Sequence, residues 1–247
     1  MGDIDNMDSI IKIDNLKFKY TNKYVLKNIN ISLSRGTCTG LLGSNGSGKT
    51  TLINCILGQF EYEGNITINN LKPNIYSNNF KKNIGIVLDD DILIDYLTLD
   101  EYLLYIGRLE KIDNSILEER INYWLKSLKL EDHRHRILKF FSHGMRKKTQ
   151  LIAALIKKPQ ILIIDEPTNG LDVEMIYLLK NIIKDLKKSG LTIIVSTHII
   201  SFIEEVCDEV VIINDGVIKK NLSLPLKCKM HLEDVFINGI LGYGDEL

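Results

Sequence analysis

Tryptophan occurs once in the 247 residues, and proline and cysteine four times each. The cysteines (Cys38, Cys55, Cys207 and Cys228) are scattered, with no Cys-x-x-Cys pair and no metal-ligand spacing. That pattern argues against a disulfide framework or a cysteine-based zinc site, and reduced structural thiols are expected. No apolar run approaches bilayer-spanning length, because charges interrupt even the most hydrophobic stretches, as in Ile161-Leu162-Ile163-Ile164-Asp165-Glu166. A role at a membrane would therefore need another chain to supply the span. The start, Met1-Gly2-Asp3-Ile4-Asp5, is acidic and lacks the positive-then-apolar layout of a secretory signal, so residence in the cytosol is expected. A net charge of -1 gives no electrostatic reason to expect nucleic acid as a partner. Internal repeats, proline-rich linkers and low-complexity segments are also missing.

What is present is an ordinary globular balance of 45% apolar and 26% charged residues, enough for one α/β domain carrying at most a smaller lobe. The opening half reads as short strands: Ile11-Lys12-Ile13 and Ile29-Asn30-Ile31-Ser32-Leu33 alternate with period two, and an antiparallel β subdomain is expected. Thr39-Gly40-Leu41-Leu42 leads into a Gly/Ser-rich loop, followed by helical composition from Thr50 to Leu57. From Thr98 to about Ile156 the pattern is helical, opening on Thr98-x-x-Glu101, a capping-box spacing, which predicts a helical lobe inserted in the core. Trp124, Leu125 and Leu128 share a helical face and are expected in the core of that lobe. Ile161 to Ile164 and Leu191 to Val195 are nearly continuous aliphatic runs, with helix expected around Ile176 to Lys188 between them. Such runs predict parallel strands buried on both faces. Val210 to Ile213 with Asp215-Gly216 reads as a further strand and turn.

Gly43-Ser44-Asn45-Gly46-Ser47-Gly48-Lys49-Thr50 is a complete P-loop between a strand and a helix. Glycines let backbone N–H groups close around phosphate oxygens, the helix N-terminus adds partial positive charge, Lys49 reaches the β- and γ-phosphates, and Thr50 offers a hydroxyl to Mg²⁺. Thr51 belongs to the same nucleotide-binding set. A P-loop alone leaves many NTPase classes open. The second element is the aliphatic run ending in Asp165-Glu166: Asp165 is expected in the Mg²⁺ shell and Glu166 as the general base that polarises the attacking water.

Ser142-His143-Gly144-Met145-Arg146 lies between these two elements, shortly before an Ala-containing helix. It resembles the signature motif of the ATP-binding-cassette (ABC) ATPases in a Ser-x-Gly-Met form. That family implies an α/β P-loop NTPase core with an antiparallel β subdomain and an inserted helical subdomain. The resemblance places the ATPase domain at residues 8–221, the helical subdomain at about 91–157 and a C-terminal tail at 222–247. Ser142 and Gly144 would grip the γ-phosphate of ATP held by a second copy, so a dimer enclosing two ATP molecules is implied. His143 replaces the first Gly of the commonest motif. Asn169-Gly170-Leu171-Asp172 resembles the D-loop, whose Asp172 faces the subunit interface, and His198 in Ser196-Thr197-His198 resembles the switch histidine that contacts the γ-phosphate. Tyr20 resembles the residue that stacks on adenine, with Tyr24 as its nearest competitor.

One departure is at Ile84-Gly85-Ile86-Val87-Leu88-Asp89, where the family usually ends the strand with a Gln that touches Mg²⁺ and water. Here Asp89 stands there, followed by Asp90 and Asp91, and it is expected in the metal's water shell. The acidic residue nudges the reading toward peptide-antibiotic exporters. Ile92, Leu93, Ile94 and Tyr96 fall where the family meets a membrane partner, or else in the core. The basic stretch Arg146-Lys147-Lys148 is expected as a solvated helix face, and Met230 to Ile240 has amphipathic potential. The resemblance implies Mg²⁺-dependent ATP hydrolysis that powers export through a separate membrane subunit, with the chain peripheral on the inner face of the cell membrane. The alternative is a non-transport ABC ATPase acting as a mechanical switch in a soluble assembly, such as iron–sulphur cluster delivery.

Overall fold

The computed structural model describes residues 9–74, 76–90, 92–225 and 231–241; the acidic start, Asp91, Cys228 and Met230 lie outside the described residues. Strands β1 (Ser9–Lys19) and β2 (Tyr24–Ser34) pair antiparallel. After β3 (Cys38–Leu42) and α1 (Lys49–Ile56), β4 (Glu63–Ile68) joins the other edge of β1, giving the expected antiparallel sheet in the order β2-β1-β4. Period-two alternation turns Ile11, Ile13, Ile29, Leu33, Ile66 and Ile68 into one buried layer.

The remaining elements are α2 (Asn78–Asn83), β5 (Ile84–Val87), α3 (Leu99–Leu109), α4 (Asn114–Ser127), α5 (His143–Leu155), β6 (Ile161–Asp165), α6 (Val173–Lys188), β7 (Thr192–Thr197), α7 (Ile200–Val206), β8 (Glu209–Asn214), β9 (Val217–Ser223) and α8 (Leu232–Leu241). The second sheet runs β5-β6-β7-β3-β8-β9, parallel except for the β8–β9 hairpin. Every residue of β6 and of β7 is buried. Successive side chains serve opposite faces: Ile161 and Ile163 pack toward α1 and the antiparallel sheet, while Leu162 and Ile164 pack toward the helices. A strand read by two cores has no solvent face, which is why β6 and β7 show no polar alternation until their last residues.

The three described cysteines are buried free thiols. Burial pushes the Cys55 thiol up to about 12, and a hydrogen bond with Cys38 together with burial raises Cys207. Thiols held protonated in this way are poor nucleophiles at neutral pH.

Four expectations meet a different structure. The basic stretch is not a solvated face: Lys147 is 2% exposed, because residue 147 shares the inner stripe of α5 with Leu151 and Ala154, and Arg146 pairs with Asp95 at 2.8 Å. Trp124 is only half-buried, on the wall of an open cleft of about 720 Å³, whereas Leu125 and Leu128 are core. Helix α6 begins at Val173, earlier than the apolar pattern indicates, because the Asp172 carboxylate accepts from the Met175 N–H at 2.7 Å and caps it. Pairing with β8 carries β9 across residue 221 to Ser223, and Leu232 and Val235 of α8 are buried in the main core.

The capping box at α3 forms as expected. Thr98 Oγ1 accepts from the Glu101 N–H at 3.2 Å and Glu101 Oε2 accepts from the Thr98 N–H at 2.8 Å. That backbone donor holds the Glu101 carboxyl below the usual carboxylate range. Thr98→Ala removes the cap and is expected to lower unfolding free energy by about 1 kcal/mol, read as a shifted urea midpoint at unchanged slope.

Candidate nucleotide site

Parallel strands deliver their last residues to one edge, and the site lies on that edge. Between β3 and α1 runs the loop Gly43–Gly48; Ser44, Asn45 and Gly46 are exposed, whereas Gly43, Ser47 and Gly48 are buried. Gly48 is the N-cap of α1 at φ 110°, a left-handed conformation that turns the chain into the helix. The loop is braced from below by the Asp215-Gly216 turn of the β8–β9 hairpin, both residues at positive φ. The Gly216 N–H donates to Ser47 O at 3.0 Å and its carbonyl accepts from the Lys27 N–H at 2.8 Å. A β-carbon on Gly216 would stand 1.8 Å from Val25 O, so only glycine lets the turn sit this close to β2.

Lys49 opens α1 with its side chain 5% exposed. Its Nζ donates to Gly43 O at 2.8 Å and Ser44 O at 3.2 Å and pairs with Glu166 Oε1 at 3.1 Å. Glu166 follows β6 at φ 43°, and His198, just past β7, meets Glu166 Oε2 through Nδ1 at 3.1 Å. Asp165 ends β6; Thr50 Oγ1 donates to its Oδ2 at 3.0 Å and Ser196 Oγ donates to its Oδ1. Tyr20 is 61% exposed just past β1, its hydroxyl 3.4 Å from Thr51 Oγ1 and its ring edge-on to Phe18 and Phe60. Tyr24 is tied elsewhere, its hydroxyl donating to Glu63 at 2.9 Å.

Ser142, Gly144, Asp89 and Asp172 form a second group around α5 and the loop before α6. Ser142 is the exposed N-cap of α5, accepting from the Met145 N–H at 3.3 Å, and Gly144 lies in the first turn. Asp89 follows β5, and both its carboxylate oxygens accept from Asn169 Nδ2, at 3.0 and 3.2 Å.

The chemistry of the first group is that of phosphate handling. A cation and a helix N-terminus face a loop of backbone donors, with a carboxylate and an imidazole beside them. Among the described residues no cluster of three or more His, Cys, Asp or Glu could hold a metal alone. The Thr50 hydroxyl and Asp165 carboxylate, as a hard-oxygen pair, suit an ion that takes its other ligands from phosphate and water. Ser196 escaped the sequence reading. Its signal was a hydroxyl at the end of an aliphatic strand, and its meaning depends on the Asp165–Ser196 register of β6 on β7.

Such an edge defines a P-loop NTPase with an inserted helical lobe. Residues 26–169 match the ABC transporter family. The chain is 35% identical over 207 residues to an uncharacterized ABC transporter ATP-binding protein of Methanocaldococcus jannaschii, covering 83% of this chain and 74% of that one. It is 30% identical over 217 residues to the SkfA peptide export ATP-binding protein of Bacillus subtilis, covering 87% and 90%. A dimeric ATP-binding cassette in a post-hydrolysis state with ADP and Pi superposes with a TM-score of 0.79 at 25% identity, covering 88% of this chain and 100% of that one. The chain belongs to the ABC transporter ATP-binding proteins: it is the ATP-binding, ATP-hydrolysing subunit of a transporter, and the non-transport alternative falls away.

The Gly216 brace gives a direct test. Gly216→Ala is expected to lower the melting temperature and to weaken ATP binding at least ten-fold, measured by calorimetry below that temperature, because the clash with Val25 O displaces the floor of the P-loop.

Proposed function

We propose that two copies of this chain close on two ATP molecules and drive export through a separate membrane subunit. The observation that carries the catalytic part is the chain of contacts Lys49–Glu166–His198 beside Asp165 and Thr50. In this reading Lys49 binds the β- and γ-phosphates, Thr50 and Asp165 hold Mg²⁺, Glu166 takes the proton of the attacking water, and His198 orients Glu166 and the γ-phosphate. Backbone groups of Gly43 to Gly48 cradle the phosphates, and Tyr20 offers its exposed ring to adenine. The Ser142 hydroxyl and Gly144 N–H reach the nucleotide of the opposite copy, and Asp172 faces the same interface.

Export rather than uptake follows from likeness to the peptide export subunit and from the Ser-x-Gly-Met signature. Docking on a membrane partner is supported by Ile92 at 74% exposure and Tyr96 at 81%, which stand out with Phe140 from the helical lobe. Ile92 also lines a cleft of about 290 Å³ together with Ile86, Leu88, Tyr102 and Ile106, and with the charged Asp90, Glu110 and Lys157. No described helix is long and apolar enough to cross a membrane, so attachment to the inner face would come through this surface. The helical subdomain of about 91–157 then carries the docking face, and the rest of the ATPase domain carries the chemistry.

Two outcomes test the reading. Glu166→Gln is expected to retain ATP affinity within a few-fold, to lower turnover by about 10² to 10⁴ and to accumulate an ATP-dependent dimer on size exclusion. Turnover at the parental rate would remove Glu166 from the role of base. The double change Ile92→Asp and Tyr96→Asp is expected to release the tagged chain from the membrane fraction while leaving its ATPase rate within two-fold; retention in that fraction would place the docking face elsewhere.

A further inference from the structure

Asn169 joins the strand end at Asp89 to helix α5. Its side-chain amide donates to both oxygens of Asp89, and its main-chain carbonyl accepts from His143 Nε2 at 3.0 Å. A carbonyl only accepts, so Nε2 is the protonated nitrogen. The His143 ring also covers Gly170: a β-carbon there would lie 3.0 Å from His143 Cδ2. Inside the loop the bonds are long, Asn169 N to Glu166 O at 3.4 Å and Leu171 N to Thr168 O at 3.3 Å, so its shape depends on contacts from outside. Asp89 is itself held, because Lys147 Nζ donates to Leu88 O at 2.6 Å and Asp89 O at 3.1 Å, and Gln150 donates to Asp90 O at 3.0 Å.

We propose that His143 and Asp89 are positioning residues that clasp Asn169 from two sides and fix the loop from Pro167 to Asp172, and that Asp89 serves this clasp instead of the metal. The loop runs from Glu166 to the cap of α6, so the clasp fixes the path between the general base and Asp172. Helix α5, the strand end at Asp89 and the loop then move as one body, because each is bonded to the next by a side chain half-buried or better, except at His143. The inference rests on the ATPase assignment and not on the export reading, since every contact lies within one copy.

The test is hydrogen–deuterium exchange of the segment 167–172 in the isolated chain, with Asp89→Leu, Asp89→Asn and His143→Gly. A hydrogen bond to a carboxylate stabilises enough that Asp89→Leu is expected to speed exchange of this segment about ten-fold. His143→Gly is expected to speed it several-fold, with the sheet strands unchanged in both. Asp89→Asn retains an oxygen that accepts from Asn169 and is expected to stay within two-fold of the parent. Its Mg²⁺ concentration for half-maximal ATPase rate is expected to match the parent as well. Unchanged exchange in Asp89→Leu, acceleration spread evenly over the chain, or Asp89→Asn behaving like Asp89→Leu would each overturn the clasp. A ten-fold rise in the Mg²⁺ demand of Asp89→Asn would return Asp89 to the metal shell.

Discussion

Lys49 and Glu166 face each other at 3.1 Å with side chains 5% and 9% exposed, and the rest of the structure is arranged so that these charges meet away from water. Removing two ions from water costs several kcal/mol each, and the mutual attraction offsets this only when the remaining donors and acceptors are filled. They are filled here. The ammonium has the carbonyls of Gly43 and Ser44, and the second oxygen of Glu166 has His198. A pair like this gives little stability over apolar residues of the same size, so its place in the core reflects chemistry. Meeting at all requires the end of β3 and the end of β6 to stand one strand apart, which the order β6-β7-β3 supplies. It also requires β7 to end beside both, which puts Ser196 on Asp165 and His198 on Glu166.

The demand on backbone geometry is local and sharp. Glu166 sits at φ 43°, a region that costs a non-glycine residue of order 1–3 kcal/mol, and its N–H is satisfied by Ser196 O at 3.0 Å. Directly after a fully buried strand, this twist turns the chain so that Asp165 and Glu166 address different partners. Asp165 turns to the Thr50 hydroxyl and Glu166 to the Lys49 ammonium, although the two are neighbours in sequence. The β8–β9 hairpin contributes at a distance, since its glycine turn props the P-loop while its strands close the edge of the sheet.

Much of this was legible in the sequence, and the reasons are physical. A P-loop is written in consecutive residues because a single turn of backbone does the binding, so Gly43 to Thr50 could be read without a fold. Asp165 and Glu166 were legible because they end an aliphatic run, and polar groups at the ends of buried parallel strands have few other uses; His198 was legible from its place just past the next buried strand and its resemblance to the family's switch histidine. Lys147 was misread because its neighbours in sequence are basic, whereas its neighbours in space are the carbonyls of Leu88 and Asp89. Ser196 and the bond from Asp89 to Asn169 were not legible at all, since they depend on strand register and on a loop that returns to a strand eighty positions away.

Burying Lys147 is the detail that separates a rigid coupling from an accidental one. An ammonium with 2% exposure needs acceptors, and the main-chain carbonyls of Leu88 and Asp89 are among them. A methionine in its place would fill the same volume on the inner stripe of α5, yet it would leave the carbonyls of Leu88 and Asp89 without that donor. The lysine therefore registers the signature helix against the strand end to within a hydrogen bond. Apolar packing alone would let α5 slide by a fraction of a turn at small cost, because dispersion is not directional. In the proposed dimer α5 would lend Ser142 and Gly144 to the other copy's phosphate, a task that requires a fixed register, and a charge held by carbonyls sets one.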